Sequence, residues 1–178
     1  WNNDVINTVA IVTKHDAHAS QVLAAVEAGK HVFVEKPLAL RLDEIDAIDV
    51  AFQKVNKERN APLRLMVGFN RRFAPHVVKM KSLLESKREP RVIIITVNAG
   101  AIPGDHWTQD PEVGGGRIVG EGCHFIDLMR FLVGNPITGH QAMMIGNFPG
   151  VEVREDKVSI NLSFADGSIG TIHYLANG

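Results

Sequence analysis

The chain has 178 residues, with 19 Lys and Arg against 20 Asp and Glu and a formal net charge of −1. That balance excludes a broad electrostatic grip on nucleic acid, because no excess of cations exists to displace phosphate counterions. With 45% hydrophobic and 22% charged residues the chain can build a core, yet no stretch approaches the ~20 uncharged apolar residues that span a bilayer.

The first part alternates strand and helix signals. Residues 5–12 form a nearly continuous apolar run, as in buried parallel strands. Asp16 is placed to cap the next helix, whose Val22, Ala25 and Val26 share one face, and Gly29 supplies a left-handed stop. Residues 31–34 read as a second buried strand. A longer helix starts at Asp43, with Ile45, Ile48, Phe52 and Val55 on one stripe. A third strand covers 63–69, Pro75 suits the first turn of a helix bearing Val77, Met80 and Leu84, and 91–97 is a fourth strand. Units of this length favour parallel pairing, at least for the first two.

Residues 98–116 break the pattern with a loop rich in Gly and Pro, of a length that often overlies a functional site. A helix with Phe125, Leu128 and Leu132 on one side follows and closes at Gly134. The remainder reads as strands at 137–145, around 160–164 and at 168–174, the last two joined by a turn at Asp166-Gly167. The polar stretch 57–62 marks a joint, so the expected domains are 1–60 and 61–178. The first is an incomplete doubly wound α/β unit and the second an open, mainly antiparallel α+β sheet with helices on one face. Both ends, Trp1 and Gly178, read as cut, and a piece of a longer protein is expected. A lone cysteine, Cys123, excludes an internal disulfide and a multi-thiolate metal cluster. No basic-then-apolar leader opens the chain, which makes the cytoplasm the expected compartment.

Several groups can carry chemistry. Glu35-Lys36-Pro37 follows the second strand at its carboxyl end, where ligands of open α/β sheets bind. A Lys there can donate to an oxygen that turns negative in a transition state; ordinary strand termination is the alternative. His124 and Asp127, three apart on a helix, suit proton transfer by an oriented imidazole, or form a structural pair. Glycines 114–116, 120 and 122 allow close backbone approach and could offer amides to an anion. They do not form G-x-G-x-x-G after a strand, a fingerprint absent from the chain. His15 and His18 suggest a metal pair, but without a third ligand helix entry is the better reading. Asn70-Arg71-Arg72 could hold a carboxylate or phosphate, or be exposed at a strand end. His106-Trp107 could cover a flat ring or seal a core edge.

In order along the chain, Thr13-x-His15-x-x-His18, Ala28-Gly29-Lys30-His31-Val32-Phe33-Val34-Glu35-Lys36-Pro37, Gly68-Phe69-Asn70-Arg71-Arg72-Phe73-Ala74-Pro75, Gly114-Gly115-Gly116 and Cys123-His124-Phe125-Ile126-Asp127-Leu128 strongly resemble the glucose-fructose oxidoreductase/inositol dehydrogenase/MocA family. The resemblance covers nearly the whole chain. It implies a Rossmann domain followed by an open-sheet domain, and hydride transfer between NAD or NADP and a secondary hydroxyl of a sugar, cyclitol or sugar nucleotide. It further implies Lys36 as the active-site lysine and His124 as the proton-transferring histidine. Thr13, His15 and Glu35 would line the nicotinamide end of the cofactor groove with Lys36. Trp107 would add to the cofactor and substrate sides, and Asn70, Arg72 and Asp127 would bind substrate. No metal is implied. Homo-oligomers through the outer face of the C-terminal sheet are expected.

Two departures stand out. The phosphate loop would lie upstream of Trp1, so the isolated chain is expected to be inactive and to bind NAD(P) poorly. The family often has an Asp four residues before the histidine, where this chain has Gly120 with Glu121 next. One helical residue turns a side chain by about 100°, so Glu121 does not automatically substitute. This variant resembles dehydrogenase modules within larger bacterial proteins. A non-catalytic sugar- or cofactor-binding relative and an oligomerisation module are the rival readings.

Overall fold

The computed structural model describes residues 1–86 and 89–177; the chain end at Gly178 lies outside them. The chain divides into two compact units. The first is Trp1–Gly68 with Asp110–Gly115, and the second is Phe69–Gln109 with Gly116–Gly178.

In the first unit, β1 (Thr8–Ile11), β2 (His31–Val34) and β3 (Leu65–Val67) form a parallel sheet in the order β1-β2-β3. The crossovers are α1 (His18–Glu27) and α2 (Leu42–Lys57), whose mutual contact puts both on one face. The core joins Ile11, Val32 and Val34 to Val22, Ala25, Val26 and Ile48. Gly29 has φ +71° and ends α1 as the sequence predicts. The expected Asp16 cap does not form: a 3-10 turn, His15–Ala17, precedes α1, whose N-cap position is Ala17 with no side-chain bond. The Asp16 amide instead donates to the Val113 carbonyl. Glu44 caps α2 by accepting from the amides of Leu40 and Arg41, each at 3.1 Å, so this helix begins one residue before Asp43. Of its expected stripe Ile48 is buried and Ile45 is exposed.

In the second unit a 3-10 turn (Asn70–Phe73) leads into α3 (Pro75–Leu84), with Pro75 in its first turn. The four strands are β4 (Val92–Asn98), β5 (Ile137–Met144), β6 (Lys157–Phe164) and β7 (Ile169–Leu175), in the order β4-β7-β6-β5. The β5–β6 and β6–β7 pairs are antiparallel, whereas β4 pairs with β7 in parallel, Val92 opposite Ile169. Gly167, φ +84°, makes the β6–β7 turn. The helix α4 (Cys123–Val133) lays Phe125, Met129 and Val133 against Val158, Ile160, Leu162, Phe164, Ile172 and Tyr174. It stops at Gly134, φ +83°.

The helix packs tightly on the sheet at Gly170, where an added Cβ would overlap the Met129 sulfur. Gly170→Ala is expected to destabilise the protein by about 1–3 kcal/mol through overpacking, read as a lower urea midpoint at unchanged slope. An unchanged midpoint would mean that Met129 moves aside freely.

Candidate active site

The sequence-predicted residues fall into two groups, one in each unit. In the first, Thr13 and His15 follow β1, and Glu35 and Lys36 follow β2, at the carboxyl ends of parallel strands. The Lys36-Pro37 peptide is cis. A fully buried imidazole, His18, binds this region together: its Nδ1 lies 2.7 Å from the Pro37 carbonyl oxygen and its Nε2 3.0 Å from that of Thr13. The ring thereby ties the segment after β1 to the one beside Lys36. Helix entry describes the position of His18, but no residue spacing points to this tie, because both partners are backbone carbonyls.

His15, also buried, has Nδ1 2.8 Å from the Gly114 carbonyl oxygen, joining the first turn to segment 110–115. Burial pushes its pKa below the ordinary 6.5, and the nearby Lys36 and His18 add to this; the Gly114 bond and Asp16 oppose it. The amides of Gly114 and Gly115 donate to the Asp110 carbonyl, so these two amides already have acceptors within the loop. Glu35 lies against Gly68, where a Cβ would sit 3.1 Å from its Oε2. Among the described residues no cluster of three or more His, Cys, Asp or Glu could hold a metal ion.

In the second unit, α4 carries His124 and Asp127, both buried. Asp127 accepts a bidentate ion pair from Arg72, whose Nε lies 2.6 Å from Oδ2 and whose second arm reaches Oδ1. This bond holds the Arg72 guanidinium more firmly in its charged form, against the opposing effect of burial. Arg71 lies over the Phe125 ring, 4.4 Å from its centroid. The Phe69 ring meets His124 edge-on at 6.2 Å. Asn70 is exposed on the 3-10 turn, and Trp107 is half-buried in the loop with its ring 5.9 Å from that of His106.

The helical segment before α4 contains a π-turn, Ile118–Gly122, with the Cys123 amide donating to the Ile118 carbonyl. Glu121 lies within it. Its Oε2 accepts from the Tyr174 hydroxyl at 2.5 Å and from Arg117 at 2.9 Å. Burial alone would raise the Glu121 carboxyl; these two bonds outweigh it and leave the group below its ordinary value. No sequence spacing points to Tyr174 as a partner of Glu121, since Tyr174 is 53 residues away and only the fold joins them.

Two family profiles match the chain: the oxidoreductase family, NAD-binding Rossmann fold, over residues 1–69, and the GFO/IDH/MocA C-terminal domain over residues 77–177. Inositol 2-dehydrogenase of Rhizobium meliloti strain 1021 is 32% identical over 168 residues, 91% of this chain and 48% of that protein. A crystal structure of an oxidoreductase domain protein from Kribbella flavida superposes with a TM-score of 0.80 at 27% identity, covering 99% of this chain and 50% of that one. The structure of levoglucosan dehydrogenase in complex with NADH and levoglucosan gives a TM-score of 0.81 at 29% identity, with 99% and 50% covered. The chain thus spans about half the length of the curated relatives it matches.

The depressed His15 pKa has a definite sign in a stability profile. A histidine neutral in the folded state stabilises fully above its unfolded value of 6.5, and this is lost as pH falls toward the folded value, because the unfolded chain binds the proton first. The urea midpoint of the wild type should therefore fall more between about pH 7.5 and pH 5 than that of His15→Gln. Parallel profiles would remove His15 as the source. With the fingerprints in both halves and both profiles matched, the chain belongs to the Gfo/Idh/MocA oxidoreductase family.

Proposed function

We propose that the protein containing this chain is an NAD(P)-dependent dehydrogenase acting on a secondary hydroxyl of a sugar, cyclitol or sugar nucleotide. The carrying observation is Lys36 just beyond the carboxyl end of β2, in a segment fixed through Pro37 by the buried His18. In open parallel sheets that edge is where a dinucleotide lies. Thr13, His15, Glu35 and Lys36 fit the nicotinamide end: they follow strand ends, and Gly68 leaves room for the Glu35 carboxylate. When bound, the nicotinamide accepts or donates the electron pair with its hydrogen.

Each side chain has a role in this reading. The Lys36 ammonium donates to the alcohol oxygen and stabilises the negative charge that grows there. His124 takes the hydroxyl proton as the C–H bond breaks. Asn70 and Arg72 hold substrate hydroxyls or a charged group, with Asp127 orienting Arg72 by the bidentate pair. Trp107 adds a flat surface beside the cofactor and substrate. The unit that carries β1, β2 and β3 is the C-terminal portion of a Rossmann domain, and the unit that carries α4 and β4 to β7 is the substrate and oligomerisation domain; because β3 belongs to the first sheet, the joint lies at Gly68 and not at the expected residue 60. A cytoplasmic setting accompanies the use of NAD(P). Among the described residues no helix is long and apolar enough to cross a membrane.

The second reading, a non-catalytic binding relative, draws on Gly120 at the position where the resemblance puts an Asp, with Glu121 already bonded to Arg117 and Tyr174. The two readings separate in the full-length protein. A panel of cyclitols and hexoses with NAD⁺ or NADP⁺ should give a substrate-dependent rise in reduced-nicotinamide absorbance. Lys36→Met should cut kcat/KM by roughly 10²–10³-fold, and His124→Asn by roughly 10²–10⁴-fold, with the far-UV circular dichroism unchanged. Binding without turnover, or near-normal turnover of Lys36→Met, would favour the binding relative or sink the Lys36 role.

Homo-oligomerisation through the outer sheet face belongs to the same reading. Val92, Ile94 and Ile169 are 73%, 67% and 53% exposed, and Val92 and Ile169 are direct neighbours on paired strands. Clustered apolar side chains of this kind mark association surfaces. Val92→Lys with Ile94→Lys should lower the mass measured by light scattering to that of one chain, and an unchanged mass would exclude this face.

A further inference from the structure

The polar cluster around Glu121 is not accounted for by any step assigned above. A π-turn places one extra residue in a helix and forms i→i+5 bonds of poorer geometry, so it persists only where other contacts hold it. Here it spans Ile118–Gly122 and hands the chain directly to α4, one turn before His124. Gly120 stands four residues before His124 and so on its side of the helix, but has no side chain to offer there. Glu121 stands four residues before Phe125, and both contact Tyr174: the Phe125 and Tyr174 rings are 6.3 Å apart, and the Tyr174 hydroxyl bonds to Glu121. The Glu121 carboxylate is therefore turned to the sheet. It does not stand in for the missing carboxylate beside His124.

The partners explain what it does instead. Tyr174 is fully buried on β7 and presents its hydroxyl to Oε2 at 2.5 Å. Arg117, 7% exposed, donates to the same oxygen at 2.9 Å and lies 5.4 Å from the centroid of the Tyr174 ring. The other arm of Arg117 donates to the Gly100 carbonyl at 2.6 Å, at the root of the loop that carries Trp107. One carboxylate thus joins the π-turn, the central strand pair and the loop root. Removing it would leave a buried guanidinium and a buried phenol each short of an acceptor, which makes the cluster cooperative.

We propose that Glu121 is a positioning residue: its bonds to Tyr174 and Arg117 lock the π-turn and thereby set the register and rotation of α4 that aim His124. What it aims rests on the dehydrogenase reading; the lock itself does not. The ionisation pattern agrees, since the Tyr174 phenol is pushed up, by burial first and by the Glu121 bond next, while the Glu121 carboxyl is held down. A carboxylate held in this way, facing Arg117, Tyr174 and the field of Arg71, is an acceptor of fixed bonds and a poor proton shuttle.

The test uses the full-length protein with Glu121→Ala, Glu121→Gln and Tyr174→Phe. Glu121→Ala should lower kcat at least about tenfold while the Kd for NAD(P) stays within about twofold, because the loss is of alignment and not of cofactor contacts. Glu121→Gln should recover part of the loss, since its amide oxygen still accepts from Tyr174 while its NH₂ group opposes Arg117. Hydrogen exchange of the peptide over residues 118–124 should speed up at least about tenfold in Glu121→Ala, with β6 unchanged. A normal kcat in Glu121→Ala, or unchanged exchange over 118–124, would overturn the proposal. If Glu121→Ala does not fold, Tyr174→Phe, which removes one donor and no charge, carries the same comparison. A wild type without turnover that still shows the local exchange effect counts against the dehydrogenase reading and leaves the lock standing.

Discussion

Helix α4 can lie against the sheet of the second unit because Gly170 has no side chain where the Met129 sulfur descends. That single close approach governs what else the helix can present. Phe125, Met129 and Val133 recur every four residues and go into the apolar layer over Ile160, Ile172 and Tyr174. With that stripe fixed, rotation about the helix axis is no longer free. His124 and Asp127 then stand where the spacing puts them, one residue before Phe125 and two after it. A helix that had to ride higher over an alanine would carry both groups away from the sheet, and packed interiors resist such shifts.

The first unit meets a different constraint. Its candidate site residues sit on connections after strands, and connections hold direction poorly unless their polar groups are bonded. Imidazoles perform that task here. His18 spans the carbonyls of Thr13 and Pro37, and His15 reaches the carbonyl of Gly114. The backbone beside Lys36 is thus fixed from within the core, so the lysine side chain has a defined origin. A metal reading of the same two histidines would have required a third ligand, whereas carbonyl oxygens serve as the partners in its place.

Much of this architecture was legible because it is local. The apolar runs at β1 and β2, the left-handed glycines at 29, 134 and 167, and Pro75 at a helix start each act over a few residues. The rest depends on distant partners. The parallel pairing of β4 with β7 brings together residues from opposite ends of the second unit, and no turn signal announces it. The Tyr174 bond to Glu121 exists only after that sheet has formed. Asp16 was a reasonable cap by residue type, yet the 3-10 turn moves the helix start to His18 and gives the Asp16 amide to Val113. The motif residues themselves, Lys36, His124 and Asp127, were visible; the groups that hold them in place were less so, since support is read from contacts and not from spacing.

The charges on the helical segment show how that support is divided. Glu121 and Asp127 are each answered by one arginine, Arg117 and Arg72, and each arginine belongs to or reaches a different part of the unit. Arg72 comes from the turn at Asn70–Phe73, while Arg117 extends to the loop root at Gly100. Such pairs add little net stability where desolvation offsets attraction, but breaking one strands a charge, so each admits few alternative arrangements. Their value lies in that intolerance. A histidine proposed to accept a proton must hold its ring within about half an ångström of its productive position, at hydrogen-bond distance from the oxygen that loses the proton. The segment that carries it is pinned by a carboxylate one turn before and another one turn after, and the apolar stripe between them fixes its rotation.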